Sequence, residues 1–234
     1  MIQQLVLDLL PAPAPTLRNF IAGGNEQVLD ALRQCRPGRA MYLWGSPASG
    51  RTHLLRALGD PPRGQYFRAP QDASAIRALA LDDTAGTSLV AVDDAHLLDE
   101  PGQAALFTLY NRWREAASTT QAFALLVSGR QAPLATPLRE DLRTRLGWDL
   151  VFRLQPLSDE DRARALRTQS TERGLRLSPD VINWMLTHYD RDMSRLGALL
   201  DALDHYSVQT HRAITLPLLK DLLASTRERE TNPS

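Results

Sequence analysis

The sequence predicts an α/β protein in which a parallel sheet is covered by helices on both faces and a small all-helical domain follows. Three observations carry this. Short apolar runs alternate with helical stretches as far as Leu154. The first of these runs ends in a glycine-bearing loop that opens a helix. After Gln155-Pro156 the strands disappear and only helical patterning remains.

Asn25 to Cys35 reads as an amphipathic helix, Ala40 to Trp44 as a short buried strand, and Gly45 to Gly50 as a loop. Arg51 to Leu58 is the next helix and Gln65 to Arg68 a weaker strand. Ser88 to Asp93 is a strong strand, because Leu89, Val90, Ala91 and Val92 form a continuous apolar run. Ala104 to Ala117 is helical, Phe123 to Ser128 an apolar strand, Leu138 to Leu146 a short helix and Leu150 to Leu154 a last strand. In the helical part, Ser158 caps a helix with an acidic first turn (Asp159, Glu160, Asp161) and Gly174 stops it. Ser178-Pro179 opens another helix, Asp192 to Gln209 is a third, and Thr215 to Leu223 a fourth with Pro217 in its opening turn.

Two ends stand apart. Pro11-Ala12-Pro13-Ala14-Pro15 is a stiff extended linker behind a short apolar head, and Thr226 to Ser234 is polar and expected to be disordered. The resulting division is residues 1–15 for head and linker, 16–155 for the α/β base, 156–225 for the helical lid and 226–234 for the tail.

The 234 residues, 43% hydrophobic, suffice for one large core or two modest ones. With 27 basic and 27 acidic residues the chain carries no strong overall field, so a dominant electrostatic grip on nucleic acid is not expected. Cys35 is the only cysteine, and the scattered histidines have no metal-ligand spacing. No run approaches transmembrane length and the N-terminus lacks a signal-peptide pattern, so the expected location is the cytoplasm, with no membrane partner.

The chemistry concentrates at strand ends. Gly45-Ser46-Pro47-Ala48-Ser49-Gly50-Arg51-Thr52 has phosphate-loop spacing with arginine where lysine is usual. Glycines let main-chain N–H groups converge on an anion, and the helix start adds its positive dipole end. This selects Gly45, Ser49, Gly50, Arg51, Thr52 and His53 as nucleotide-binding candidates for ATP or ADP, with Mg2+ reached by Thr52 and Asp93. Arg51 keeps the charge but is longer and planar, so binding is expected to survive better than hydrolysis. Asp93-Asp94 ends an apolar strand in the Walker B manner; Asp93 would hold magnesium, and Asp94 sits where a water-orienting acid is placed. Ser128 ends the next strand, on the sheet edge where ligands bind, and is a candidate phosphate sensor. Arg145 and Arg191 are candidate phosphate-contacting arginines, although residue type alone does not separate them from surface ion pairs.

Phosphate loop, acidic strand end, hydroxyl-ended strand, the Arg145-Leu146-Gly147-Trp148 segment and an arginine-led lid helix occur in the order of the initiator clade of AAA+ proteins. The fold class is thus a P-loop AAA+ base with a helical lid. Leu17 to Gly23 resembles the opening segment of the initiator DnaA, and the chain as a whole, from about Gln4 to Leu223, resembles the Hda family of DnaA-homologous regulators. Gly50-Arg51-Thr52 resembles Hda-type loops, and Gln4-Leu5-Val6-Leu7-Asp8-Leu9 looks like that family's peptide for the sliding clamp of DNA polymerase III. The sequence leaves no room for DnaA's C-terminal DNA-binding domain.

The resemblance implies a mechanism. Gln4, Leu5, Leu7 and Leu9 would bind the clamp, and DNA would be met indirectly through it. Arg145 would be an arginine finger donated in trans to DnaA's ATP, yielding inactive ADP-DnaA, and Arg191 a sensor-2 arginine on this protein's own nucleotide. The outcome is negative regulation of replication initiation. Asp94 departs from the Asp-Asn ending of some Hda proteins and leaves intrinsic ATPase activity open in both directions, as it does the choice of ADP or ATP and homo-oligomerisation. The competing enzymatic reading is a DnaC-like helicase-loader ATPase, which has no need of the clamp peptide; a clamp-independent DNA-binding regulator is disfavoured by the neutral charge.

Overall fold

The computed structural model describes residues 14–62, 64–81, 87–189 and 192–231. Gln4, Leu5, Leu7 and Leu9, the linker as far as Pro13, Arg191 and the final residues 232–234 of the tail lie outside the described residues. The chain divides into two compact units, one holding Pro15–Pro156 and the other the chain from Leu157 onward.

The first unit is a five-stranded parallel sheet in the order β2-β3-β4-β1-β5. Its strands are β1 (Ala40–Trp44), β2 (Gln65–Arg68), β3 (Leu89–Asp93), β4 (Ala124–Gly129) and β5 (Leu150–Arg153). Side chains alternate across the sheet, so the inner strands β1, β3 and β4 feed two cores. Tyr42, Val90, Val92, Leu125 and Val127 enter one core, beneath α3 (Ala73–Leu81), α4 (Glu100–Ala116) and α5 (Glu140–Leu146). Met41, Leu43, Leu89, Ala91, Ala124 and Leu126 enter the other, beneath α1 (Glu26–Arg33) and α2 (Arg51–Gly59). Burial on both faces explains why β3 and β4 read as unbroken apolar runs.

Two polar ties close this unit. Asn25 does not cap α1 with its side chain; it is buried, and its Nδ2 donates to the Ala22 and Gln155 carbonyls while its Oδ1 accepts the Gln155 N–H. The Arg39 guanidinium donates twice to Asp149, which also accepts the Ala40 N–H and so joins the start of β1 to the chain entering β5. Burial pushes the Asp149 carboxyl up, but these hydrogen bonds and the Arg39 charge outweigh it and hold the group below its ordinary value.

Two helices of this unit differ most from the sequence expectation. Helix α3 is missing from it, and α4 begins at Glu100 rather than Ala104. At the earlier start, Asp99 Oδ1 accepts the Gly102 N–H and proline occupies the first turn, where its missing N–H costs nothing.

The second unit is helical: α6 (Asp159–Glu172), α7 (Pro179–His188), α8 (Met193–Thr210) and α9 (Leu216–Thr231). Ser158, Ser178 and Asp192 accept first-turn N–H groups at the starts of α6, α7 and α8. Leu166, Ile182, Met185, Leu199, Leu203 and Leu218 form its core. The sequence ends the last helix near Leu223; α9 carries on to Thr231, into the stretch read as polar tail. Among the described residues no helix is long and apolar enough to cross a membrane.

Candidate functional site

The parallel register brings four strand ends together. Leu43 lies opposite Ser128, Trp44 opposite Gly129 and Arg68 opposite Asp93, while Val92 pairs with Val127. Residues far apart in the chain thus meet at the C-terminal edge of the sheet, where α/β folds bind ligands.

The loop from Gly45 to Gly50 turns from β1 into α2 at this edge. Gly50 has φ +91°, and a Cβ there would lie 2.5 Å from Phe20 Cε2. Gly45 has no room for a Cβ either, with the Leu154 carbonyl 2.6 Å from that position. No side chain caps the start of α2, as one does α4, α6, α7 and α8, and its first turn holds no acid. Beside it, Ser49 Oγ and Arg51 Nη1 are buried and have no hydrogen-bond partner. An uncapped positive helix end with an unpaired buried guanidinium nitrogen fits a phosphate group.

Ala48 adopts φ +60°, the left-handed region in which a Cβ costs roughly 1–2 kcal/mol. Glycine removes that penalty but has more chain entropy to lose, about 0.5–1 kcal/mol. The difference favours glycine, so Ala48→Gly is expected to raise the melting temperature by about 2 °C without weakening nucleotide binding. A lower melting temperature in scanning calorimetry would show that the loop holds Ala48 without strain.

His53, placed by the sequence among the nucleotide-binding candidates, faces the opening segment. Its Nε2 donates to the Thr16 carbonyl at 2.9 Å, and its ring lies 5.4 Å from that of Phe20. The Leu17–Gly23 segment therefore packs over the loop through Phe20, which touches both Gly50 and His53.

Asp93 is fully buried and accepts from four groups. Thr52 Oγ1 and Tyr66 Oη donate to Oδ2, at 2.6 and 2.9 Å, and Ser128 Oγ and the Asp94 N–H donate to Oδ1. Ser128 Oγ also accepts the Asp94 N–H, so the candidate phosphate sensor is engaged with the acidic strand end. Burial, then the charge and hydrogen bond of Asp93, push the Tyr66 phenol far up. Tyr66 is a fixed donor to the carboxylate across the working pH range.

Asp94 is also buried and has φ +53°, a conformation that aspartate tolerates better than most residues. Arg51 Nη2 lies 3.3 Å from its Oδ1 and Arg68 Nη2 3.7 Å from its Oδ2. Asp94, the acid the sequence puts forward for orienting water, is thus paired with two guanidinium groups. The Arg51 guanidinium directs one terminal nitrogen to Asp94 and leaves the other unpaired. Next along the chain, burial lowers the His96 pKa, and neither ring nitrogen has a hydrogen-bond partner.

Arg145 sits apart from this cluster. It is in the last turn of α5, and no carboxylate pairs with it among the described residues. Its guanidinium instead lies over the rings of Phe107 and Trp148. The ion-pair alternative is therefore not how this side chain is held.

Sequence reasoning missed Tyr66, Arg68 and Phe107. Arg68 was visible only through strand pairing, because nothing in Gln65 to Arg68 says that its last residue will lie beside Asp93. Tyr66 pairs with Ala91 and reaches Asp93 along the strand, a direction that residue spacing does not encode.

A parallel β2-β3-β4-β1-β5 sheet with a phosphate loop after β1, paired acids after β3 and a helical unit next in the chain defines a P-loop protein of the AAA+ class. Solved structures agree. Domain III of the replication initiation protein DnaA from Thermotoga maritima superposes with a TM-score of 0.64 at 20% identity, over 93% of this chain and 99% of that one. AMPPCP-bound DnaA from Aquifex aeolicus gives 0.65 at 19% identity, over 86% and 68%. A variant of RuvB from Thermotoga maritima gives 0.63 at 14% identity, over 90% and 72%. At these identities the likeness is one of fold. The lid is more particular: residues 159–223 match the family described as Hda, lid domain. The base thus has the AAA+ fold seen in DnaA, and residues 159–223 carry the match to the Hda lid.

Proposed function

We propose that this protein is a nucleotide-bound regulator of replication initiation that docks on the DNA polymerase III sliding clamp and promotes hydrolysis of ATP held by DnaA, leaving inactive ADP-DnaA. The observation that carries the reading is the joining of an Hda lid to a base whose phosphate loop ends in an uncapped helix start with an unpaired, buried Arg51 nitrogen. Gly45, Ser49, Gly50, Arg51, Thr52 and His53 line or support that loop, and Arg191 would add a lid contact. A DnaA relative was solved with AMPPCP, which supports ATP or ADP as the ligand class here. Thr52 and Asp93, already hydrogen-bonded to each other, are the groups that would hold Mg2+. The ion would supply charge neutralisation on the phosphate chain.

The state of Asp94 favours an adaptor over a vigorous ATPase. Its two guanidinium partners oppose its use in orienting a water molecule. Charge for hydrolysis in a partner would come from Arg145, which no carboxylate neutralises among the described residues.

Clamp docking is assigned to Gln4, Leu5, Leu7 and Leu9, the glutamine amide bonding at a pocket rim and the leucines filling the apolar floor. The test is DnaA-ATP turnover on clamp-loaded DNA, with and without this protein. Gln4→Ala is expected to weaken retention on immobilised clamp about tenfold, the worth of one good hydrogen bond, and to lower turnover in step. Retention equal to wild type would remove the clamp from the proposal and favour a self-sufficient ATPase.

A further inference from the structure

The Arg145 guanidinium lies 3.7 Å from the ring centroid of Phe107 and 4.4 Å from that of Trp148. A second cation, Arg114, lies 4.5 Å from the Trp148 centroid. Phe107 is carried by α4, whose Leu106, Leu109, Tyr110 and Trp113 are buried, so its ring stands on a rigid base. Trp148 is fixed from the other side: its main-chain N–H donates to the Arg145 carbonyl at 3.0 Å, and the Gly147 N–H to the Thr144 carbonyl at 3.2 Å. Tryptophan and arginine are thus joined through the backbone as well as through the ring.

This arrangement restricts what the guanidinium can do. Rings attract it, and its Nε is buried without a hydrogen-bond partner. An aromatic ring orients a cation without cancelling its charge, as a carboxylate would. The terminal nitrogens keep their charge and lose much of their freedom before any partner arrives, which lowers the cost of presenting them to a phosphoryl group. Trp148 is 37% exposed although it is a large aromatic residue, so it stays at the surface alongside the arginine it holds.

We propose that Trp148 is a positioning residue for Arg145, presetting the guanidinium for the phosphoryl group of a nucleotide bound to the partner ATPase. The inference rests on the function proposed above. It concerns how the arginine is aimed and not whether the two proteins meet, so it separates maximal rate from binding.

The test uses the full chain with clamp-loaded DNA and DnaA-ATP, titrated to saturation for wild type, Trp148→Phe, Trp148→Leu and Arg145→Ala. Trp148→Leu keeps apolar bulk without a ring, and Trp148→Phe keeps a ring. Trp148→Leu is expected to lower maximal turnover about tenfold with the half-saturating concentration unchanged, and Trp148→Phe to restore most of it. Equal turnover for the leucine and phenylalanine variants, a change confined to half-saturation, or faster turnover with leucine would overturn the positioning role. If Arg145→Ala turns DnaA over at the wild-type rate, the arginine's role falls and the positioning role with it; if wild type gives no stimulation at all, the proposed function fails, and both results are distinguishable from failure of Trp148 alone.

Discussion

Arg145→Ala is expected to lower stimulated DnaA-ATP turnover by about 1,000-fold or more, the scale on which a trans arginine acts on phosphoryl transfer, while leaving this protein folded and nucleotide-bound. The size follows from the chemistry. Negative charge spreads over the transferring oxygens in the transition state, and a guanidinium in a water-poor interface is worth far more there than in bulk water. The selectivity follows from the structure. Arg145 takes part in no ion pair among the described residues and belongs to none of the hydrogen bonds that build the Asp93 cluster. Removing its side chain costs only the two ring contacts, about 0.5–1 kcal/mol each at such exposure. Arg145→Lys separates charge from shape: lysine keeps the charge but neither the planar stack nor the fork. It should recover only a small part of the rate. Clamp retention and melting temperature serve as controls. If the alanine variant stimulates DnaA as wild type does, the trans-arginine assignment is wrong.

Much of the fold was legible because burial on both faces leaves a plain mark. Ala40–Trp44, Gln65–Arg68 and the apolar core of Leu89–Asp93 stand where the runs place them. So do the helix caps at Ser158 and Ser178, where a side-chain oxygen must meet an orphan N–H. Helix α3 was not legible. Its sequence, Ala73 to Leu81, is apolar on most sides, with Ile76 buried and Leu81 87% exposed, so no single apolar stripe announces it. Alanine's intrinsic preference and packing of α3 on α4 decide the outcome instead. At the site, the loop and the paired acids were legible because they are contiguous. The Tyr66–Asp93 bond and the Arg68–Asp94 pair were not, because each depends on the neighbour order of β2 and β3. The ring contacts of Arg145 depend similarly on α4 lying beside α5, and the sequence offered ion pairing as the simpler alternative.

The largest effect on stability is expected at Asp93. A buried carboxylate is costly by itself, and its removal would stabilise a protein in which it stood alone. Here it accepts from Thr52, Tyr66, Ser128 and the Asp94 main chain, all converging at one point beneath the phosphate loop. Asp93→Ala strands those donors, and each buried donor left unpaired costs about 1–3 kcal/mol. Thr52 and Ser128 hydroxyls can turn toward other acceptors; the Tyr66 phenol and the Asp94 N–H are fixed by ring and backbone. The Asp94 N–H keeps Ser128 Oγ as an acceptor, so the phenol decides the loss. It is about 1–3 kcal/mol, or a melting temperature lower by roughly 2–12 °C for a chain of this size. Tyr66→Phe in the Asp93→Ala background should recover part of it, since it removes the orphaned hydroxyl along with its lost partner. Urea unfolding of the two single variants and the double variant measures the coupling. If the double variant is less stable than Asp93→Ala by the full cost of Tyr66→Phe in wild type, the two residues act independently, and Asp93 does not hold β2 to β3 through that phenol.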